Sequence, residues 1–73
     1  MRDTILRFVE QRAGTKIDPT TPLFTSGLID SFGVLELIAF LEETFKVDIN
    51  PARHQISEFD TVARIESLVQ GLL

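Results

Sequence analysis

The sequence predicts an all-α fold: a small four-helix bundle with three longer helices, one short third helix and a long loop between helices one and two. Apolar residues recur at helical spacing in three separate segments, and no alternating apolar-polar run is long enough to suggest a sheet. With 73 residues the chain is long enough for one domain and not for two. We therefore expect a single domain over residues 1–73.

The first helix is predicted from about Arg2 to Ala13, and Gly14 then occupies the position of a left-handed C-terminal cap. Its apolar face contains Ile5, Phe8 and Val9. Residues 14–29 contain two prolines, two glycines and several Thr and Ser residues, which support neither helix nor strand. So long a connection in so small a domain is usually functional or disordered. Its apolar residues favour an ordered crossover packed over the helix ends.

The second helix is predicted from about Ser31 to Phe45 and is the strongest element of the pattern. Its core stripe is Val34, Leu37, Ile38, Leu41 and Phe45. Phe32, Leu35 and Phe40 lie on other faces, and one buried stripe does not require them. Either the bundle surrounds this helix on several sides, or part of its apolar surface is kept for partners.

The last third of the chain predicts two further helices. Asn50-Pro51 resembles an N-cap followed by proline at the first helical position, which predicts a short third helix over about Pro51 to Gln55. Asp60-Thr61 offers a cap for a last helix from about Thr61 to Leu72. The core-facing candidates of the last helix are Val62, Ile65, Leu68, Val69 and Leu72.

Composition and charge exclude several classes of function. The chain has no Cys and a single histidine, His54, so thiol chemistry and a metal site are not expected. The net charge of −4 makes nucleic acid an unfavourable partner. Residues 17–50 carry six acidic side chains and one lysine, which is either a solvated helix face or a docking surface for basic partners. We expect a cytoplasmic monomer without a membrane span.

Ser31 is the candidate functional residue, at the junction of the long loop and the second helix. Taken alone, a serine before a helix is a capping residue. A hydrolase nucleophile would need Gly at both flanking positions of G-x-S-x-G, and Ile29 and Gly33 stand there instead. No histidine is near it in sequence. Ser31 is therefore better interpreted as a hydroxyl that another enzyme modifies, at a helix end whose dipole favours an attached phosphate.

Several stretches of the chain, in this order and spacing, resemble the acyl carrier protein family. They are Leu23-Phe24, Gly27-Leu28-Ile29-Asp30-Ser31-Phe32, Leu35-Glu36-Leu37-Ile38 and Leu41-Glu42-Glu43-Thr44-Phe45. The resemblance covers nearly the whole chain and includes the order of helices and the long loop. Gly27–Phe32 and Ser57–Thr61 are similar to stand-alone aminoacyl carriers, including D-alanyl carrier proteins. Phe32 replaces the commoner Leu of the family, and Gly33 stands where many members have a polar residue.

The resemblance implies a carrier and not an enzyme. Ser31 would be esterified by 4′-phosphopantetheine, donated from coenzyme A by a phosphopantetheinyl transferase, and the thiol of that arm would hold the cargo as a thioester. A loading ligase or acyltransferase and downstream acyl-accepting enzymes would be the other partners. The family pattern assigns transferase or partner recognition to Asp30, Phe32, Leu35, Glu36, Ala39 and Glu43. The cargo, acyl or aminoacyl, stays open.

The alternative function is a non-catalytic helical adaptor. It would bind a basic partner through helix two and use Ser31 only as an N-cap. A small enzyme is the third hypothesis, and the absence of a plausible catalytic constellation argues against it.

Overall fold

A computed structural model of the chain describes all 73 residues, and every regular element in it is helical. Three α-helices span Arg2–Ala13 (α1), Gly33–Phe45 (α2) and Val62–Leu72 (α3), and 3-10 segments cover Pro51–Arg53 and Ile56–Phe59. The predicted all-α class is confirmed. None of the helices has the length and apolar character needed to cross a membrane.

The end of α1 is fixed by two contacts of its last turns. Gly14 has φ +74°, a left-handed conformation that glycine adopts with little steric strain. Its N–H donates to the Glu10 carbonyl oxygen at 2.8 Å. The Glu10 carboxylate accepts a hydrogen bond from the Ile17 N–H at 3.1 Å. The chain that leaves α1 is therefore held against the helix it has just left, and the predicted bounds of α1 are confirmed.

The region predicted as a short third helix contains two 3-10 segments instead. Asn50 caps the first segment as predicted, because its side-chain oxygen accepts from the Ala52 N–H at 3.0 Å. The segment stops at His54, which has an extended backbone, and the Glu58 carboxylate accepts from the Gln55 N–H at 2.7 Å. Since this second cap starts a new turn at once, the first turn does not continue into a helix.

The core is one cluster to which all three helices and the connections between them contribute. Its buried residues are Ile5, Val9, Leu23, Leu37, Ile38, Leu41, Ile49, Phe59, Val62, Ile65 and Val69. Phe8, Val34, Phe45 and Leu68 are half-buried against it. Leu72, predicted to face the core, is exposed because α3 ends there.

The segment between α1 and α2 is tied to the start of α3. Leu23 is fully buried, and its N–H donates to the main-chain oxygen of Asp60 at 2.7 Å. The Ala63 N–H donates to the Pro19 carbonyl oxygen at 3.0 Å. These bonds join residues about forty positions apart and fix the path of the chain toward α2.

Candidate functional site

Ser31 lies exposed in a tight turn that leads into α2. The Gly33 N–H donates to the Asp30 carbonyl oxygen at 2.7 Å, and the Val34 N–H donates to that of Ser31 at 3.1 Å. Because these bonds span three residues and not four, the α-helix begins at Gly33, two residues later than predicted. The Ser31 hydroxyl takes part in none of the hydrogen bonds of the structure.

Asp30, not Ser31, caps the turn. Its carboxylate oxygen accepts a hydrogen bond from the Phe32 N–H at 2.9 Å. The Ser31 hydroxyl is therefore not needed to cap this turn. The interpretation of Ser31 as the helix cap is therefore wrong. The free N–H groups expected at this helix end are also fewer than predicted, because those of Phe32, Gly33, Val34 and Leu35 already have acceptors.

Gly33 is explained by a close approach that the sequence does not reveal. A Cβ atom at this position would lie 2.6 Å from Ile29 Cγ2 and 3.6 Å from Phe24 Cε1. The first of these distances is shorter than van der Waals contact allows. Glycine at this position lets the Ile29 side chain pack directly on the first turn of α2, beside Ser31, and a larger residue would have to displace it.

Asp60 anchors the loop, a role that the sequence pattern does not indicate. It is 8% exposed, and its carboxylate accepts hydrogen bonds from the Phe24 N–H (2.8 Å), the Thr25 N–H (3.0 Å) and the Thr25 hydroxyl (2.7 Å). Burial alone raises the pKa of Asp60, but the hydrogen bonds from Thr25 and Phe24 outweigh it and hold the pKa below its ordinary value. The charged form of Asp60 therefore fixes the loop that approaches Ser31.

A cleft of about 370 Å³ opens beside Ser31, between the start of α2 and the second 3-10 segment. Its apolar lining includes Phe32, Val34, Leu35, Ile38, Ile56 and Phe59, and Ser31, His54 and Gln55 are its polar members. A larger cavity of about 680 Å³ lies between the second 3-10 segment and α3, but Ser31 does not line it. The smaller cleft is the relevant one, because it adjoins the candidate residue.

His54 lines the cleft but is held by other groups. Its Nδ1 lies 3.2 Å from a carboxylate oxygen of Glu58, and its ring packs edge-on against Phe59 with centroids 5.9 Å apart. The Gln55 N–H and then His54 hold the pKa of Glu58 below its ordinary value. No hydrogen bond joins His54 to Ser31, so the structure shows no base on the serine hydroxyl.

The apolar surplus of α2 divides into two groups. Phe32 and Leu35 are 78% and 58% exposed, whereas the half-buried Phe40 stacks on Phe8 of α1 with ring centroids 4.2 Å apart. The bundle therefore covers Phe40, whereas Phe32 and Leu35 stay open to solvent. The residues matched to partner recognition are all exposed: Asp30, Phe32, Leu35, Glu36, Ala39 and Glu43.

The acidic side chains of α2 differ in how far they are engaged. Glu36 forms an ion pair with Arg12 of α1 at 2.9 Å, and the Glu42 carboxylate accepts from the Ile49 N–H at 3.0 Å. Glu43 makes neither an ion pair nor a hydrogen bond, and it is exposed. Of the three glutamates of α2, only Glu43 therefore has a carboxylate without a partner in the structure.

Two comparisons with known proteins agree on one family. The family model described as "Phosphopantetheine attachment site" matches residues 3–69. The chain is also 36% identical over 56 residues to the "Probable acyl carrier protein PigG" of Serratia sp. (strain ATCC 39006). That alignment covers 77% of this chain and 64% of the relative, so the chain spans just under two thirds of the relative's length.

Proposed function

Because the chain belongs to the acyl carrier protein family, whose members carry a covalently bound 4′-phosphopantetheine group, we propose that Ser31 is the residue to which that group is attached. The single observation that carries this proposal is the state of the Ser31 hydroxyl. It is exposed at the start of α2 and makes no hydrogen bond, while Asp30 performs the capping that such a serine usually does.

The residues around Ser31 fit the group. The exposed hydroxyl is accessible to a modifying enzyme, and the adjoining cleft of about 370 Å³ offers an apolar wall with His54 and Gln55 as polar members. When bound, the group supplies a terminal thiol, absent from this Cys-free chain, that holds the cargo as a thioester. The protein's own contribution is to hold the serine in place, through Asp30 in the turn and Asp60 at the loop.

The role proposed for the chain is that of a loaded co-substrate and not of a catalyst. A phosphopantetheinyl transferase, a loading ligase or acyltransferase and a downstream acyl-accepting enzyme would dock around Ser31. Their contacts would be the exposed surface of α2 and its preceding turn: Asp30, Phe32, Leu35, Glu36, Ala39 and Glu43. The exposure of Phe32 and Leu35 supports this, since a large apolar side chain left open beside a functional residue is typical of an interface.

The cargo is proposed only by chemical class. None of the side chains that line the Ser31 cleft is Asp, Glu, Lys or Arg, so the cleft favours an uncharged apolar acyl group over a charged one. An aminoacyl cargo, suggested by the resemblance to D-alanyl carriers, would place its ammonium group outside the cleft, in solvent. Both cargoes stay within the proposed carrier function.

The test is a modification assay on the intact chain. The protein is incubated with a purified phosphopantetheinyl transferase and coenzyme A, and its intact mass is measured. We expect the wild type to gain one phosphopantetheinyl group and Ser31→Ala to gain none. Ser67→Ala is the matched control, because Ser67 is another exposed serine without a hydrogen bond, and it should be modified like the wild type.

Two outcomes would contradict the proposal. One is a mass gain in Ser31→Ala, which would place the attachment elsewhere. The other is an unchanged wild-type mass under conditions in which the same transferase modifies a second carrier protein in the same tube. That result would favour an adaptor that binds partners through α2 without carrying a group.

A further inference from the structure

The acidic helix α2 has a counter-ion that comes from α1. Gly33–Phe45 contains three glutamates and no basic residue. One of them, Glu36, has its Oε2 2.9 Å from Nη1 of Arg12. The two side chains are 53% and 47% exposed, so the pair lies on the surface, where a partner can reach it.

Arg12 is held in place by more than its ion pair. Its guanidinium carbon lies 5.0 Å from the ring centroid of Phe8, and the Phe8 ring is stacked on that of Phe40. An exposed ion pair is usually weakened by the entropy lost when two long side chains are fixed. Here the aromatic face already restricts Arg12, so less entropy is lost when it pairs with Glu36.

The pair lies at the edge of the surface around Ser31. Arg12 and Glu36 line a cavity of about 390 Å³ together with Asp30 and Phe32. Phe32 also lines the Ser31 cleft, so this side chain stands between the two. A protein that covers Ser31 and Phe32 therefore meets Arg12 as well as Glu36.

We propose that the Arg12–Glu36 pair weakens the docking of basic partner enzymes at Ser31. A lysine or arginine of the partner can use the Glu36 carboxylate only after it displaces Arg12, and Arg12 itself repels that cation. Arg12 thus sets how tightly a basic partner binds, and Glu43 is the carboxylate of α2 that such a partner finds unoccupied. This inference rests on the proposed function, because docking is defined by the modification of Ser31.

The experiment measures kcat/KM for phosphopantetheinyl transfer to the wild type, Arg12→Gln and Arg7→Gln. Arg7 is the matched control, since it is an exposed arginine of the same helix and makes no ion pair or hydrogen bond. Both variants lose one positive charge, so any effect of net charge is common to them. At low salt we expect Arg12→Gln to raise kcat/KM about threefold above Arg7→Gln. The difference should disappear at high salt, where exposed charges are screened.

Glu36→Gln tests the pair from its other side. On its own it leaves Arg12 unpaired on the docking surface, so we expect kcat/KM to fall by about the same factor. The double variant of Arg12→Gln with Glu36→Gln removes both charges, and its kcat/KM should lie between those of the two single variants. Thermal melting of each variant shows whether it is folded at the assay temperature.

The inference is overturned if Arg12→Gln is no faster than Arg7→Gln, because the effect is then one of net charge alone. It is also overturned if Arg12→Gln is slower than the wild type, because Arg12 then contributes to docking. Should Arg12→Gln not be folded, an unchanged kcat/KM in Glu36→Gln overturns it. Failure of the proposed function is distinct, since the wild type would then gain no mass at all.

Discussion

Two helices of this protein begin at nearly the same tripeptide. Asp30-Ser31-Phe32 precedes α2, and Asp60-Thr61-Val62 ends in the first residue of α3. At α3 the hydroxyl oxygen of Thr61 accepts a hydrogen bond from the Arg64 N–H at 3.1 Å, as an N-cap does. At α2 the hydroxyl of Ser31 makes no such bond, because Asp30 already accepts from the turn.

The aspartate and the apolar residue are buried in the tripeptide at α3 and exposed in the tripeptide at α2. Asp60 is buried and binds the loop through three hydrogen bonds, whereas Asp30 is exposed and binds only its own turn. Val62 is completely buried, and Phe32 is 78% exposed. One tripeptide is therefore part of the packed interior, and the other is at the surface.

The difference teaches that the local pattern sets where a helix starts but not what its first residues do. The loop between α1 and α2 packs on the start of α3, where it bonds to Asp60 and to the Ala63 N–H. Ser31 is exposed and its hydroxyl makes no hydrogen bond, as the proposed modification by another protein requires. A hydroxyl at one helix end thus caps the helix, and the hydroxyl at the other end has no hydrogen bond.

The largest expected difference in the free energy of unfolding is between variants of the two aspartates. Asp60→Ala leaves two N–H groups and one hydroxyl of the loop without their acceptor, and should lower the free energy of unfolding by about 3 kcal/mol. Asp30→Ala removes one exposed hydrogen bond and should cost about 1 kcal/mol or less. Urea denaturation of both variants measures the contrast, and equal losses would contradict the assignment of Asp60 as the anchor.

A smaller effect is expected for the two hydroxyls. Thr61→Ala removes the cap of α3 and should cost about 1 kcal/mol, while Ser31→Ala should stay within about 0.5 kcal/mol of the wild type. The modification assay should give the reverse order, with Thr61→Ala modified and Ser31→Ala not. A Ser31→Ala protein as destabilised as Thr61→Ala would mean that the serine has a structural role after all.

Sequence patterns predicted the elements whose causes are local. The bounds of α1, its Gly14 cap, the Asn50 and Thr61 caps and the buried stripe of α2 depend on residues a few positions apart. Periodicity and capping describe contacts of this kind. These elements were therefore predicted correctly from the sequence alone.

The features that the sequence did not predict depend on contacts between distant segments. Asp60 receives its hydrogen bonds from Thr25, 35 positions earlier, and Arg12 pairs with Glu36 across two helices. A side chain at Gly33 would displace that of Ile29, and this close approach depends on the path of the loop. The predicted short third helix is wrong because the Glu58 carboxylate caps a new turn at Gln55, a side-chain contact that helical periodicity does not describe.

The smallest expected effect is on how the free energy of unfolding changes with pH in acid. The folded pKa of Asp60 lies below the ordinary value of 3.8, so its charged form is favoured by folding and contributes stability at neutral pH. That contribution is lost as the pH falls from about 3.8 through the lowered folded pKa. Asp60→Asn keeps an oxygen for the Phe24 and Thr25 N–H groups but does not titrate, so its free energy of unfolding should fall less steeply below pH 4 than that of the wild type. Asp30→Asn is the matched control, and a slope that changes as much in this variant as in Asp60→Asn would show that the buried aspartate is not what links stability to pH.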